Sequence, residues 1–483
     1  MNVLFILSDQ HNAAFTGCYG HPMACTPNID SLARRGTRFE SAYTVSPFCV
    51  PGRAAMFSGR YAHEISVWDN TRAYRGTPAS WARYFHNNRV KVTTVGKLDF
   101  APGADCGIEQ ELLAHHRNSM DICALFRDQL VPRKAMHLAL KNIKPRTLDE
   151  KPTFDMQVRD RAIDWLRNER PADRPWVLNV NFVEPHPGWR PREDIWARYE
   201  GTIKSLSEKY FQPMADLHPA NQAFSIHSCG QSFTPEEVYR CHEAYLAVIE
   251  ELDEHVGKLL STLESEGILD DTLVIYCSDH GELMRAHAAW SKCSMYEDSI
   301  RVPWVMAGPG VPAGHVDTAC VSHLDMFPTI CEALGLPQPW DKRGISLLSG
   351  ERPPFVLSEF HGNGFPDGVF AIRCGKWKLV ETANQRPQLY NLETDPDEMH
   401  DLLEEPEVAP AVLAKLRELR GMLGSICSPE AVDLRAKRDQ AMLKAELEGS
   451  GRLLDELAKR GFERRTDCLV NVEQTTAAST QGP

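Results

Sequence analysis

Apolar residues along this chain follow two alternating rhythms. Short, nearly continuous apolar runs at residues 3–7, 90–95, 176–182 and 272–277 read as strands buried on both faces. Between them lie stretches with three- and four-residue apolar spacing, the mark of helices with one buried face. Thr26-Pro27-Asn28-Ile29-Asp30 opens one such helix, with Thr26 as N-cap and Pro27 at its first position, and Gly36 closes it. Thr234-Pro235-Glu236-Glu237 is a capping-box start. The helix it opens carries His242, Leu246, Ile249, Leu252, Val256 and Leu259 on one face and stops at Gly267. This alternation predicts an α/β fold with a large, mainly parallel central sheet flanked by helices.

The rhythm then changes. Residues 190–232 are irregular and rich in His, Pro, Ser and aromatic residues, as expected of an insertion that caps a pocket. They interrupt an α/β domain spanning residues 1–350. Beyond it, runs at 355–360, 369–373 and 377–380, with a Gly375-Lys376 turn between the last two, predict a smaller antiparallel-sheet subdomain over 351–427. Residues 428–483 form an extension, with a charged amphipathic helix over 428–461 and an end that frays after Glu473. Leu434, Met442, Leu443, Leu447, Leu453, Leu454 and Leu457 give that helix an apolar stripe, expected to pack on a neighbouring subunit rather than on its own chain.

Composition narrows the function. The 483 residues are 42% hydrophobic and 25% charged, which suits a soluble protein with a large core. With 53 Lys and Arg against 66 Asp and Glu, the net charge of −13 argues against nucleic-acid binding, which needs a basic face. No apolar run reaches the roughly 18 residues of a membrane span. The first residues lack a basic region and read as a strand, not a signal peptide. Fourteen cysteines without a CxxC pair or repeated spacing point to reduced, mostly buried thiols and a cytoplasmic location.

Chemistry-bearing residues gather where such a sheet places functional sites, just after its strands. Asp9, Lys97, Glu184-Pro185-His186 and Asp279-His280 all stand there. Asp9, Asp279 and His280 together offer oxygen and imidazole ligands suited to Mn²⁺, Zn²⁺ or Ca²⁺. Asp279 as a helix N-cap and His280 as a loop residue account for the same residues equally well. Cys49-Val50-Pro51-Gly52-Arg53 opens a small-residue helix that Gly59 ends. Cys49 thus stands at a helix N-terminus, where an anion is favoured, with Arg53 one turn on along the same face.

The C-x-P-x-R pattern from Cys49 to Arg53, followed by Gly59-Arg60, resembles the sulfatase family of the alkaline-phosphatase superfamily. Other blocks resemble that family in its order: residues 2–10, Gly17-Cys18-Tyr19-Gly20, 26–33, Val95-Gly96-Lys97, Glu184-Pro185-His186-Pro187, 278–282, Ser291-Lys292, 301–304 and 389–398. The likeness covers about residues 1–402 and rests on the ordered set, since each block alone is weak. It implies an alkaline-phosphatase-like fold and hydrolysis of sulfate monoesters, with arylsulfates and small alkyl sulfates as substrates. It further implies that a formylglycine-generating enzyme oxidises Cys49 to formylglycine, whose hydrate is the nucleophile. Asp9, Gln10, Cys49, Asp279 and His280 are then the metal set. Arg53 holds the hydrate, Lys97 and Lys292 bind the sulfuryl oxygens, and His186 is the general acid, with Lys292 as the alternative. Asn70 corresponds to a position near the substrate.

Two departures from the family pattern stand out. Gln10 and His280 replace the Asp and Asn of many sulfatases, and resemble instead the cytoplasmic branch of choline sulfatases, some arylsulfatases and phosphonate monoester hydrolases. That favours manganese over calcium, keeps phosphonate monoester or phosphodiester hydrolysis as the alternative activity, and implies a homodimer or homotetramer. Gly52 stands where many members have Ser or Ala, a change that bears on recognition by the oxidising enzyme. His115, His116, His218, His227 and His242 show no partner spacing and read as structural or pocket-lining.

Overall fold

The computed structural model describes residues 1–127, 129–459 and the pair 470–471. In chain order its first strands are β1 (Asn2–Ser8), β2 (Thr37–Tyr43), β3 (Lys91–Lys97), β4 (Gln110–His115), the two-residue β5 (Gln129–Leu130), β6 (Trp176–Asn181), β7 (Thr272–Ser278), β8 (Trp304–Ala307) and β9 (His315–Ser322). All but β5 join in one eight-stranded sheet, in the order β4-β3-β6-β1-β7-β8-β2-β9. Every pairing is parallel except the two made by β8. This is the expected α/β architecture.

Side chains of β1 point alternately to the two faces. Val3, Phe5 and Leu7 enter one apolar cluster with Val50, Ala54 and Phe57 of the helix Cys49–Ser58. Leu4 and Ile6 enter the other, against the helices Pro27–Arg35, Phe154–Asn168 and Pro235–Ser265. A strand buried on both sides cannot alternate polar with apolar, which is why residues 3–7 are continuously apolar. The capping box at Thr234 forms as expected, with both reciprocal hydrogen bonds to Glu237. Thr26 does precede its helix, but its hydroxyl caps nothing there; it accepts from Gly17 N and donates to Asp30.

Residues 190–232 contain two short helices, Glu193–Tyr199 and Pro219–His227. Trp196, Tyr199 and Tyr210 pack with Tyr245 and Ile249 of the long helix. At the other end Phe224 stacks on Phe365, with ring centroids 5.1 Å apart. The C-terminal subdomain is an antiparallel meander of β10 (Val356–Phe360), β11 (Val369–Cys374), β12 (Trp377–Thr382) and β13 (Gln388–Asn391). Gly375, with φ +55°, makes the turn between β11 and β12. A last short strand, β14 (Val470–Asn471), pairs with β5.

The extension departs from expectation. In place of one helix over 428–461 there are two, Pro429–Gly449 and Arg452–Ala458, because Gly451 takes a left-handed φ of +73° that a helix cannot continue through. The apolar stripe also divides. Leu443, Leu447, Leu453 and Leu457 are buried on the same chain against Ile122, Leu125, Phe126 and Val131. Leu434, Met442 and Leu454 remain 71%, 65% and 62% exposed. Polar contacts fix the helix as well: Arg127 donates to Asp433 and Gln440, and Gln440 donates to Asp69 and to the carbonyl of His361. The remaining expected helix residues and the end after Glu473 lie outside the described residues. No described helix is long and apolar enough to cross a membrane.

Truncation at two stripe positions separates these environments. Leu447→Ala is expected to cost about 2–5 kcal/mol by leaving a cavity. Leu434→Ala should stay within about 0.5 kcal/mol. Thermal or urea unfolding measures both, and equal losses would mean that Leu434 is covered by a second subunit.

Candidate active site

The order of strands explains the site. β3, β6, β1 and β7 are consecutive neighbours, and β1 runs in register with both flanking strands, Leu7 opposite Asn181 and Ser8 opposite Ser278. Their carboxyl ends therefore deliver Lys97, the 183–186 loop, Asp9-Gln10 and Asp279-His280 to one place. Cys49 comes from the other direction, at the start of a helix buried along its whole length. Val50 N donates to Asn70 Oδ1 at 3.0 Å, so Asn70 caps the helix, which the sequence reading of it as a substrate neighbour did not foresee. Gly52 has a packing reason: a Cβ there would stand 2.7 Å from the carbonyl oxygen of Ser46.

Cys49 Sγ lies at the centre. It is 3.4 Å from His280 Nε2, 3.2 Å from Lys292 Nζ and 3.9 Å from Asp9 Oδ1. His280 Nε2 is also 3.6 Å from Asp9 and 3.5 Å from Asp279. Donor atoms of Asp9, Cys49, Asp279 and His280 all fall within 4.8 Å of one another, and all four residues are buried. His280 Nδ1 faces the carbonyl of Gly281 at 3.1 Å, which makes Nδ1 the N–H and leaves the Nε2 lone pair toward the cluster. Burial pushes the His280 pKa down to about 4, so the ring is neutral. These residues fit a divalent cation. Gln10 is adjacent but engaged: its oxygen accepts from Lys292 and its amide nitrogen donates to Glu282.

Charge balance governs the remaining groups. Arg53, 1% exposed, donates from Nε to Asp279 Oδ2 at 2.8 Å and from Nη1 to the carbonyl of Lys97 at 2.6 Å. Its Nη2 has no hydrogen-bond partner among the described residues. Lys97 pairs with Asp9 and with Asp99, the latter at 3.2 Å. Burial alone would raise the Asp9 pKa, but Lys97, with His186, Lys292 and His280, holds it well below the usual carboxylate range. Burial and Asp9 raise the Cys49 thiol, against Lys292 and Lys97.

His186 sits on a loop pinned from behind. Asp155 accepts from Val183 N at 2.9 Å and Glu184 N at 2.7 Å, while the Glu184 carbonyl accepts from Asp9 N. His186 Nδ1 faces the carbonyl of Pro187 at 3.0 Å, leaving Nε2 available. Burial and then Lys292 hold its pKa well below the usual histidine value.

Several site residues were not singled out from the sequence. Glu282 orients Gln10 and accepts from Ser291 N at 2.6 Å. Asn181 accepts from Arg53, and Asp99 and Asp155 hold Lys97 and the His186 loop. The Asp-His-Gly-Glu run from 279 to 282 held a signal for Glu282, whereas Asp99, Asp155 and Asn181 carry none. Of the histidines read as structural or pocket-lining, His227 accepts from Arg133 Nε, and His242 bonds the carbonyl of Met284. The described cysteines other than Cys123, Cys49 among them, are free thiols.

Comparison with known proteins agrees with this geometry. Residues 1–336 match the family described as Sulfatase, and residues 285–422 match "N-sulphoglucosamine sulphohydrolase, C-terminal". Arylsulfatase K of Bos taurus is 31% identical over 449 residues, covering 86% of this chain and 81% of that protein. Choline-sulfatase of Rhizobium meliloti (strain 1021) is 31% identical over 466 residues, covering 91% and 89%. In fold the chain resembles BT4656, solved with its substrate D-glucosamine-2-N,6-O-disulfate, at a TM-score of 0.71, 21% identity and coverages of 91% and 98%. It also resembles the phosphonate monoester hydrolase of Agrobacterium radiobacter, at a TM-score of 0.66, 22% identity and coverages of 87% and 95%. A family match over the whole central sheet, joined by full-length relatives at 31% identity, leaves one assignment: the chain belongs to the sulfatase family and is a sulfuric ester hydrolase.

Proposed function

We propose that Cys49, converted to formylglycine by a generating enzyme, attacks the sulfur of a sulfate monoester. The observation that carries this reading is the position of Sγ, shared by His280, Lys292 and Asp9 within 3.9 Å. Asp9, Asp279, His280 and the group at position 49 would hold a divalent cation, with Gln10 beside them. Imidazole among the ligands favours Mn²⁺ over Ca²⁺, and Zn²⁺ is also accommodated. Together the hydrate and the ion supply an oxygen nucleophile of lowered pKa, whose second hydroxyl lets sulfate depart by elimination.

The chain's own residues do the rest. Arg53 donates to the hydrate while fixing Asp279. Lys97 and Lys292 flank position 49 and hold the sulfuryl oxygens, where charge gathers in the transition state. His186 gives a proton to the leaving oxygen from Nε2, and Lys292 is the alternative donor. Because Nδ1 is committed to Pro187 and the ring is neutral, His186 needs the incoming anion to become protonated. Free thiols suit a reducing, cytoplasmic setting.

Phosphonate monoester or phosphodiester hydrolysis is the second reading, favoured by Gln10 and by His280 at the metal cluster. Both reactions use the same nucleophile, so relative kcat/KM on matched sulfate, phosphonate and phosphodiester esters ranks them.

Three outcomes are expected. Peptide mass spectrometry of active protein shows the thiol at residue 49 replaced by an aldehyde, and Cys49→Ala loses at least roughly 10³-fold in kcat; full activity with an unmodified thiol refutes the nucleophile. His280→Ala and Asp9→Asn lose the bound ion, measured by elemental analysis of folded protein, and retention at wild-type occupancy would remove them from the ligand set. His186→Ala slows esters of poor leaving groups by about 10²–10⁴-fold but spares nitrophenyl sulfate, because only a basic leaving oxygen needs the proton. Equal losses on both would assign His186 to binding.

A further inference from the structure

Next to the start of the Cys49 helix stands an arginine that the hydrolysis described above does not use. Arg133 holds its guanidinium 6.0 Å from the ring centroid of Phe48, the residue that precedes Cys49. Three contacts lock it. Nη2 donates to Asp121 Oδ2 at 2.7 Å, Nε donates to His227 Nε2 at 3.1 Å, and its backbone N donates to the His227 carbonyl at 2.8 Å. Burial, and next Arg133 itself, push the His227 pKa down to about 3, so this ring accepts and adds no charge. Asp121 is anchored in turn, accepting from Asn363 Nδ2 at 3.1 Å and donating its N–H to the carbonyl of Asn70, whose side chain caps the Cys49 helix.

One end of the guanidinium is left over. Nη1 has no hydrogen-bond partner among the described residues, and the Arg133 side chain is 24% exposed. An arginine held at Nε and Nη2 has already lost its rotamer freedom, so a ligand oxygen at Nη1 gains a charge-assisted bond without that entropic cost. Resting on the sulfate-ester reading, we propose that Arg133 binds a second, singly anionic group carried by the leaving alcohol. A carboxylate and a second sulfate both present such a group. Arg133 is thus a specificity-determining residue for anionic over neutral or cationic alcohols.

Three phenyl sulfates test this on metal-loaded, formylglycine-bearing enzyme: the 3-carboxamide, the 3-carboxylate and the 3-sulfonate. The wild type should favour an anionic ester over the carboxamide by about 10- to 100-fold in kcat/KM, mainly through KM. The carboxylate and sulfonate arms show which source the subsite takes. Arg133→Met should bring that ratio close to one, and Arg133→Lys should keep part of it because the charge stays but the fork is lost. Thermal unfolding shows whether each variant folds; if only the Lys variant does, its partial loss of the ratio carries the test. A wild-type ratio near one, or a ratio left at the wild-type value by either substitution in folded protein, overturns the proposal. Turnover of the carboxamide ester establishes the parent reading on its own, and absence of turnover on all three overturns both.

Discussion

The buried ion pair between Arg53 and Asp279 joins the two halves of the site. Arg53 belongs to the helix that begins at Cys49, and Asp279 follows β7, so their 2.8 Å contact fixes the helix against the sheet. Both are essentially without solvent exposure, where an unpaired charge would cost several kcal/mol. The same guanidinium reaches the carbonyl of Lys97 at the end of β3 and Asn181 at the end of β6. One side chain thereby spans three strand ends. Substituting it would alter the positions of Cys49, Asp279 and Lys97 together.

Legibility from sequence followed burial. β1, β3, β6 and β7 are deep in the sheet, and their apolar runs marked them as strands. β2, β4, β8 and β9 were not marked, since β4 is mostly exposed and β2 and β9 mix polar with apolar positions. The site residues at the ends of the central strands could be found because the sheet rule and the family pattern converge on them. Asp155 and Asp99 could not. Each acts through one or two contacts to segments far away in the chain, and nothing local distinguishes them from surface carboxylates. The extension failed for a different reason. Its stripe correctly signalled a buried face, but periodicity says only that a face is covered, not by which chain, and the left-handed Gly451 is invisible to it.

Charge counting connects the site to the class of ester. Three carboxylates, Asp9, Asp99 and Asp279, pair with Arg53 and Lys97, with Arg117 3.7 Å from Asp99, while Lys292 stands 3.2 Å from Cys49 Sγ. The cations around position 49 therefore outnumber these carboxylates, which favours an ester that brings negative charge. Phosphonate monoesters and phosphodiesters are also monoanions and match equally well. The excess of cations accounts for an anionic tetrahedral ester without ranking such esters, and discrimination passes to the groups that meet the leaving alcohol.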